Sequence, residues 1–216
     1  MRLDLYVITD GAIGGGRSHA EIARFACAGG ADAIQLRDKA CGPDALCRIG
    51  REIRAITRDT GTLFIVNDRL DVALACGADG VHLGQGDLRV DTARTLAPRP
   101  FMIGVSVGNA EEAIAAVVAG ADYVAASPIF ATSSKDDAGP GCGISGLREI
   151  RAAVAVPVVA IGGITRDNVA EVIAGGADSI AVISAVVGQP DIVAAARDLR
   201  ERITTAKEQY REKRDA

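Results

Sequence analysis

The sequence predicts an α/β fold, a single-domain (β/α)8 TIM barrel over residues 1–216, and three observations lead there. A Gly-Ala-Asp phrase occurs four times, as Gly30-Ala31-Asp32, Gly77-Ala78-Asp79, Gly120-Ala121-Asp122 and Gly176-Ala177-Asp178. Spacings of roughly 40–55 residues make an internal repeat the first hypothesis to follow. Eight short runs rich in β-branched residues alternate with eight helical stretches, which implies a parallel sheet. Eight strands close a barrel, each repeat supplying a strand–helix–strand–helix quarter, in a domain type of typically ~250 residues. The doubly wound open sheet is the alternative. It needs no fourfold repeat, and no G-x-G-x-x-G follows the first strand, where Gly14-Gly15-Gly16 reads as a flexible loop.

In chain order the expected strands are Leu5–Asp10, Ala33–Lys39, Leu63–Asp68, Gly80–Gln85, Phe101–Ser106, Asp122–Ile129, Pro157–Ile164 and Ser179–Ala185. The helices between them are His19–Ala28, Pro43–Asp59, Arg69–Cys76, Asp91–Ala97, Glu111–Ala119, Ser145–Val154, Arg166–Ala174 and Asp191–Lys207. In each repeat the glycine suits the left-handed residue that ends a helix, and the aspartate offers a carboxylate to bond the turn. The charged stretch from about 204 to 216 reads as a solvated helix end, and no linker or second domain is expected.

The charge inventory excludes several functions. The net charge is −4, with no basic block, and aromatics make up 3% of the chain with no Trp, so neither general nucleic-acid binding nor base stacking is expected. The five cysteines form no C-x-x-C pair, which suggests neither a disulfide framework nor a zinc cluster and points to a reduced, cytoplasmic protein. Apolar runs are broken well short of the ~20 residues a membrane span needs, and the chain start does not read as a secretory signal. A homo-oligomer is left open.

A barrel of this kind carries its active site at the C-terminal ends of the strands, so polar residues there matter most. Strand 2 ends in Gln35-Leu36-Arg37-Asp38-Lys39, and alternation puts Gln35, Arg37 and Lys39 on one face. Two cations turned into one cavity call for a polyanion such as a diphosphate. Strands 3 and 4 end in Asn67-Asp68 and His82-Leu83-Gly84-Gln85-Gly86-Asp87. Asp68 and Asp87 on neighbouring tips, beside two cations and a diphosphate, suggest Mg²⁺, which takes one or two carboxylates together with phosphate oxygens and water. The plainer reading makes both aspartates helix N-caps. His82 reads either as an acid–base residue or as a hydrogen-bonded barrel histidine, and His19 as uninvolved.

Ser106 ends strand 5 without a G-x-S-x-G elbow or a triad partner, which excludes a serine hydrolase and leaves a hydrogen-bond donor. The long segment after strand 6 holds Thr132, Ser134 and Lys135 followed by glycines, the composition of an anion-gripping lid. Gly162-Gly163 after strand 7 and Ile183-Ser184 after strand 8 lie where such barrels bind phosphate through backbone N–H groups. Two anion sites in one mouth, one suited to a metal diphosphate and one to a monophosphate, describe a transferase.

These motifs together resemble the thiamine-phosphate synthase (thiamine-phosphate pyrophosphorylase) family. The resemblance rests on Gln35-x-Arg37-x-Lys39, Asn67-Asp68, His82-Leu83-Gly84-Gln85-x-Asp87, Gly104-Val105-Ser106, Thr132-x-Ser134-Lys135, Gly162-Gly163-Ile164 and Ile183-Ser184 in that order, from the first strand to beyond Ala185. It implies Mg²⁺-dependent joining of hydroxymethylpyrimidine diphosphate to a thiazole phosphate or its carboxylated form. The products would be thiamine phosphate and diphosphate, with CO₂ from the carboxylated substrate. It implies that Gln35, Arg37, Lys39, Asn67, Ser106 and Lys135 hold the pyrimidine diphosphate, with Arg37, Lys39, Ser106 and Lys135 acting on the departing group. Asp68 and Asp87 would hold one Mg²⁺, and Thr132, Ser134, Gly163, Ile183 and Ser184 the thiazole phosphate.

The family often has Thr where this chain has Ser134, which keeps the hydroxyl. Many relatives carry His after the strand-5 serine, where this chain has Val107-Gly108-Asn109. Thiazole tautomerases, a related alternative, use a His in that region and need no diphosphate or metal site. A non-catalytic barrel that binds a phosphorylated metabolite is the other alternative.

Overall fold

The computed structural model describes residues 3–132, 134 and 141–215. Eight parallel strands close into a barrel in sequence order: β1 (Leu5–Ile8), β2 (Ala33–Leu36), β3 (Leu63–Asn67), β4 (Gly80–Leu83), β5 (Met102–Val107), β6 (Tyr123–Ala126), β7 (Val158–Ile161) and β8 (Ser179–Val182). The helices outside it are α1 (His19–Ala28), α2 (Pro43–Thr60), α3 (Leu70–Ala75), α4 (Val90–Leu96), α5 (Ala110–Val118), α6 (Gly143–Ala153), α7 (Val169–Ala174), α8 (Ser184–Val187) and α9 (Ile192–Asp215). The single-domain (β/α)8 barrel is therefore the architecture the repeat predicts. Among the described residues no helix is long and apolar enough to cross a membrane.

Alternation along each strand separates two buried layers. Inward residues such as Tyr6, Ile8, Ile65, Tyr123 and Val159 fill the barrel, and outward residues such as Val7, Ile34, Val66, Val81 and Val124 pack under the helices. α9 joins this outer layer through Ile192, Ala196, Leu199, Ile203 and Ala206, a stripe at helical spacing. It runs on past the expected Lys207 to Asp215.

The repeat has a physical meaning that the turn chemistry did not reveal. Each repeated aspartate grips the start of the preceding strand instead of its own turn. Asp79 donates its N–H to the Phe64 carbonyl and takes the Phe64 N–H on Oδ2, both at 2.8 Å. Asp122 does the same with Ile103, Asp178 with Val158 and Asp32 with Leu5. An arginine from the helical layer then neutralises each carboxylate: Arg200 on Asp32, Arg54 on Asp79, Arg94 on Asp122 and Arg151 on Asp178. The glycines at 30, 77, 120 and 176 all have positive φ, so the helix-ending role holds.

All strands but β5 end earlier than the β-branched runs suggest; β2 stops at Leu36 instead of Lys39, and β6 at Ala126 instead of Ile129. The polar tips leave the ladder and turn into the barrel mouth. The short α8, which the strand reading had absorbed as Ser184-Ala185, starts directly after β8.

Candidate active site

A cavity of about 520 Å³ opens at the C-terminal ends of the strands. Arg37 and Lys39 line it from the β2 tip, with Leu36 and Asp38 turned away as the alternation requires. Arg37 is nearly buried, and its guanidinium meets Asp10 Oδ2 at 3.2 Å, so this cation is partly neutralised from the β1 tip. Asp38 is held from outside the cavity. Burial works against its charge, yet bonds from Cys41 Sγ, the Ala40 and Cys41 amides and His19 bring its pKa down to about 2. His19 Nδ1 also meets Thr9 Oγ1 at 2.7 Å, and Thr9 Oγ1 accepts the Arg37 N–H. His19 is thus absent from the cavity lining, as expected, but supports the backbone that aims Arg37.

Asn67 and Asp68 at the β3 tip and Asp87 beyond β4 share the same wall. Neither aspartate caps a helix: α3 and α4 begin after Arg69 and Arg89 with no side-chain cap. Asp68 instead sits at φ 61°, a left-handed conformation that brings its carboxyl to Asp87. Burial and the hydrogen-bonded Asp87 push the Asp68 pKa up to about 6, against the pull of Lys39 and Arg37. Asp87 Oδ2 accepts the Gly84 N–H at 2.7 Å, which fixes it on the loop. Two oxygen donors forced together at such a cost suit a hard divalent cation.

His82 and Ser106 form the floor. His82 is buried and lines the cavity, with Nε2 at 2.9 Å from Ser106 Oγ and Nδ1 at 3.1 Å from the Tyr123 hydroxyl. Gln35 faces inward as predicted but lies beneath the floor, donating to Tyr6 Oη at 2.7 Å. Its buried Oε1 has no hydrogen-bond partner.

The opposite wall carries Thr132, Ser134, Gly163, Ile183 and Ser184. The Thr132 hydroxyl accepts the Ser134 N–H at 3.2 Å, and Ser134 Oγ donates to Ser184 Oγ at 3.3 Å, tying the loop after β6 to the start of α8. Gly162 and Gly163 have positive φ, and a Cβ there would lie 2.5 Å from Pro128 Cβ and 2.8 Å from the Ala131 carbonyl oxygen respectively. Glycine is therefore needed for packing against the β6 loop, beyond any close approach of a ligand. Lys135, the remaining expected cation, lies outside the described residues. Asp10, Tyr6 and Tyr123 were not singled out from the sequence. Two of the chain's three tyrosines at inward strand positions were the available signal.

One mouth therefore holds a cationic and carboxylate wall facing a hydroxyl and backbone wall. A family profile described as thiamine monophosphate synthase matches residues 5–186. The chain belongs to the thiamine monophosphate synthase family. The thiamine-phosphate synthase of Methanoregula boonei is 99% identical over the full length of both chains. That of Methanoculleus marisnigri is 63% identical over 98% of this chain and 100% of its own. The solved thiamine phosphate pyrophosphorylase of Pyrococcus furiosus superposes with a TM-score of 0.88 at 44% identity, covering 95% of this chain and 97% of that one. The chain is accordingly a transferase with thiamine-phosphate synthase activity.

Proposed function

We propose that this chain transfers the hydroxymethylpyrimidine group from its diphosphate to a thiazole phosphate or its carboxylated form, yielding thiamine phosphate and diphosphate, with CO₂ from the carboxylated substrate. The observation that carries this reading is the meeting of Arg37, Lys39, Asp68 and Asp87 at one side of a single cavity. Such a set suits a metal diphosphate and has no evident use in an isomerisation.

Arg37 and Lys39 bind the departing diphosphate, with Asp10 and the Thr9–His19 contact keeping Arg37 aimed inward. Ser106 offers a hydroxyl to the same group, Asn67 supports it from the β3 tip, and Lys135 adds a third cation. Asp68 and Asp87 would hold one Mg²⁺, which when bound supplies positive charge against the leaving diphosphate. The pyrimidine-methylene cation is stabilised by its own amino group, and Gln35 lies below the region where the ring would sit. Thr132, Ser134, Gly163, Ile183 and Ser184 anchor the thiazole phosphate so that the ring nitrogen faces the cation and attacks it. The walls exclude water that would otherwise capture the cation. No protein nucleophile is needed. The same reading gives a cytoplasmic enzyme of small phosphorylated substrates that engages neither nucleic acid nor membrane.

The test is a product assay with pyrimidine diphosphate and thiazole phosphate in Mg²⁺ and then in EDTA. Thiamine phosphate and diphosphate appearing only with Mg²⁺ is the expected result. Folded protein that makes no product from authentic substrates would overturn the reading.

A further inference from the structure

Beneath the cavity floor a line of polar side chains crosses the barrel. Gln35 Nε2 donates to Tyr6 Oη at 2.7 Å, and the Tyr6 and Tyr123 hydroxyls lie 3.3 Å apart. Tyr123 Oη is 3.1 Å from His82 Nδ1, and His82 Nε2 is 2.9 Å from Ser106 Oγ. Five strands supply these five residues. The His82 and Tyr123 rings stack with centroids 5.7 Å apart. Gly104 makes the room, since a Cβ there would lie 1.9 Å from Tyr123 Cζ. Nothing proposed so far uses either tyrosine.

Counting protons gives the line a direction. Tyr6 Oη already accepts from Gln35, so its own proton needs an acceptor, and among the described residues that is Tyr123 Oη. The Tyr123 proton is then left for His82 Nδ1. His82 must carry its ring proton on Nε2 and donate it to Ser106 Oγ. Ser106, having accepted, turns its own proton away from His82, and Ser106 lines the cavity. The opposite direction leaves the Tyr6 proton buried without an acceptor. Ionisation is no escape, because burial raises both phenols above their ordinary range. Turning the Gln35 amide over would also reverse the line. It would leave both amide N–H groups unpartnered in place of one N–H and the carbonyl oxygen, and an orphaned buried donor is the costlier of the two.

We propose that Tyr123, aligned by Tyr6 and Gln35, is a positioning residue that holds His82 as its Nε2–H tautomer and so aims the Ser106 hydroxyl proton into the cavity. The catalytic value of that donor rests on the proposed diphosphate reading. The tautomer does not. A donor already aimed at the leaving diphosphate needs no reorientation as charge develops there.

The chain has two histidines, so ring ¹⁵N resonances of the ligand-free protein are readily resolved, with His19→Gln assigning them. The expected spectrum shows His82 protonated at Nε2 and bare at Nδ1; the Nδ1–H tautomer would overturn the proposal even if turnover is normal. This spectrum needs no substrate, so it judges the tautomer whether or not the reaction itself is correctly identified. Two isosteres then test the consequence. His82→Gln, whose amide nitrogen reaches the Nε2 position, keeps kcat within about threefold, whereas His82→Asn, which reaches only Nδ1, loses about tenfold or more with the thiazole phosphate KM unmoved. Tyr123→Phe loses about tenfold in kcat, and adding His82→Gln to it restores the His82→Gln level. Equal losses in the Gln and Asn variants, or no rescue of Tyr123→Phe, would reduce the line to packing.

Discussion

At the N-terminal rim of the barrel Asp32, Asp79, Asp122 and Asp178 each meet an arginine and a strand-start amide, whereas at the C-terminal rim Asp68 and Asp87 meet each other. The residue type is the same and the pairing is opposite. Matched carboxylates hold strands in register and lower the energy of the folded chain. Two carboxyls in contact raise it, a cost that the proposed Mg²⁺ would offset. The lower rim is thus built for stability and the upper rim for chemistry, the division expected of this architecture.

The sharpest way to break that comparison is to remove a carboxylate from the upper rim. Asp68→Ala or Asp87→Ala should cut turnover by about a hundredfold to a thousandfold, as loss of a transition-state charge contact does. The melting temperature should hold within a few degrees, because the carboxyl–carboxyl contact is unfavourable and the one Asp87 bond at stake, from the Gly84 N–H, is exposed. Steady-state product formation and thermal melts measure both. Near-normal rates in either variant would remove the pair from the site.

The lower rim should respond the other way. Asp122→Asn leaves Arg94 and Arg99 without their carboxylate and weakens the clamp on Ile103. We expect a loss of about 2–3 kcal/mol, or ~5–10 °C in Tm, with kcat unchanged well below the transition. A variant that melts normally but turns over slowly would show that the rims are not separable in this way.

The sequence made the two rims unequally legible. Periodicity and the repeated Gly-Ala-Asp phrase were enough for the barrel, because a closed eightfold sheet leaves few other ways to bury alternating apolar runs. The cavity walls were legible too: Arg37, Lys39, Asp68 and Asp87 stand together because each follows the C-terminal end of a strand within a few residues. What stayed hidden depends on pairing across strands, which no local pattern records. The Asp79–Phe64 clamp joins residues that come together only once β3 and β4 pair. The Tyr6–Tyr123 contact spans even more of the chain, and alternation alone makes both look like filler. Gln35 was placed on the correct face, but its depth below the floor depends on how far the strand runs before its tip turns.

The finest test of the contrast uses pH. The Asp68 pKa lies near 6 in the folded chain against an ordinary 3.8, so the folded state holds that proton more tightly than the unfolded state does. A carboxyl shifted upward leaves stability intact below its unfolded pKa and removes it as pH rises through the folded value. The loss therefore opens between about pH 4 and pH 6 and is complete above. Asp68→Asn is the right partner for comparison, since asparagine does not titrate and tolerates the positive φ at this position. In metal-free buffer the two proteins should melt together near pH 4, and the variant should melt a few degrees higher by pH 7. Adding Mg²⁺ should close that gap by raising the wild type alone. A gap that is constant across this window would mean that Asp68 and Asp87 do not repel each other in solution, and the difference between the rims would then lie in position and not in charge.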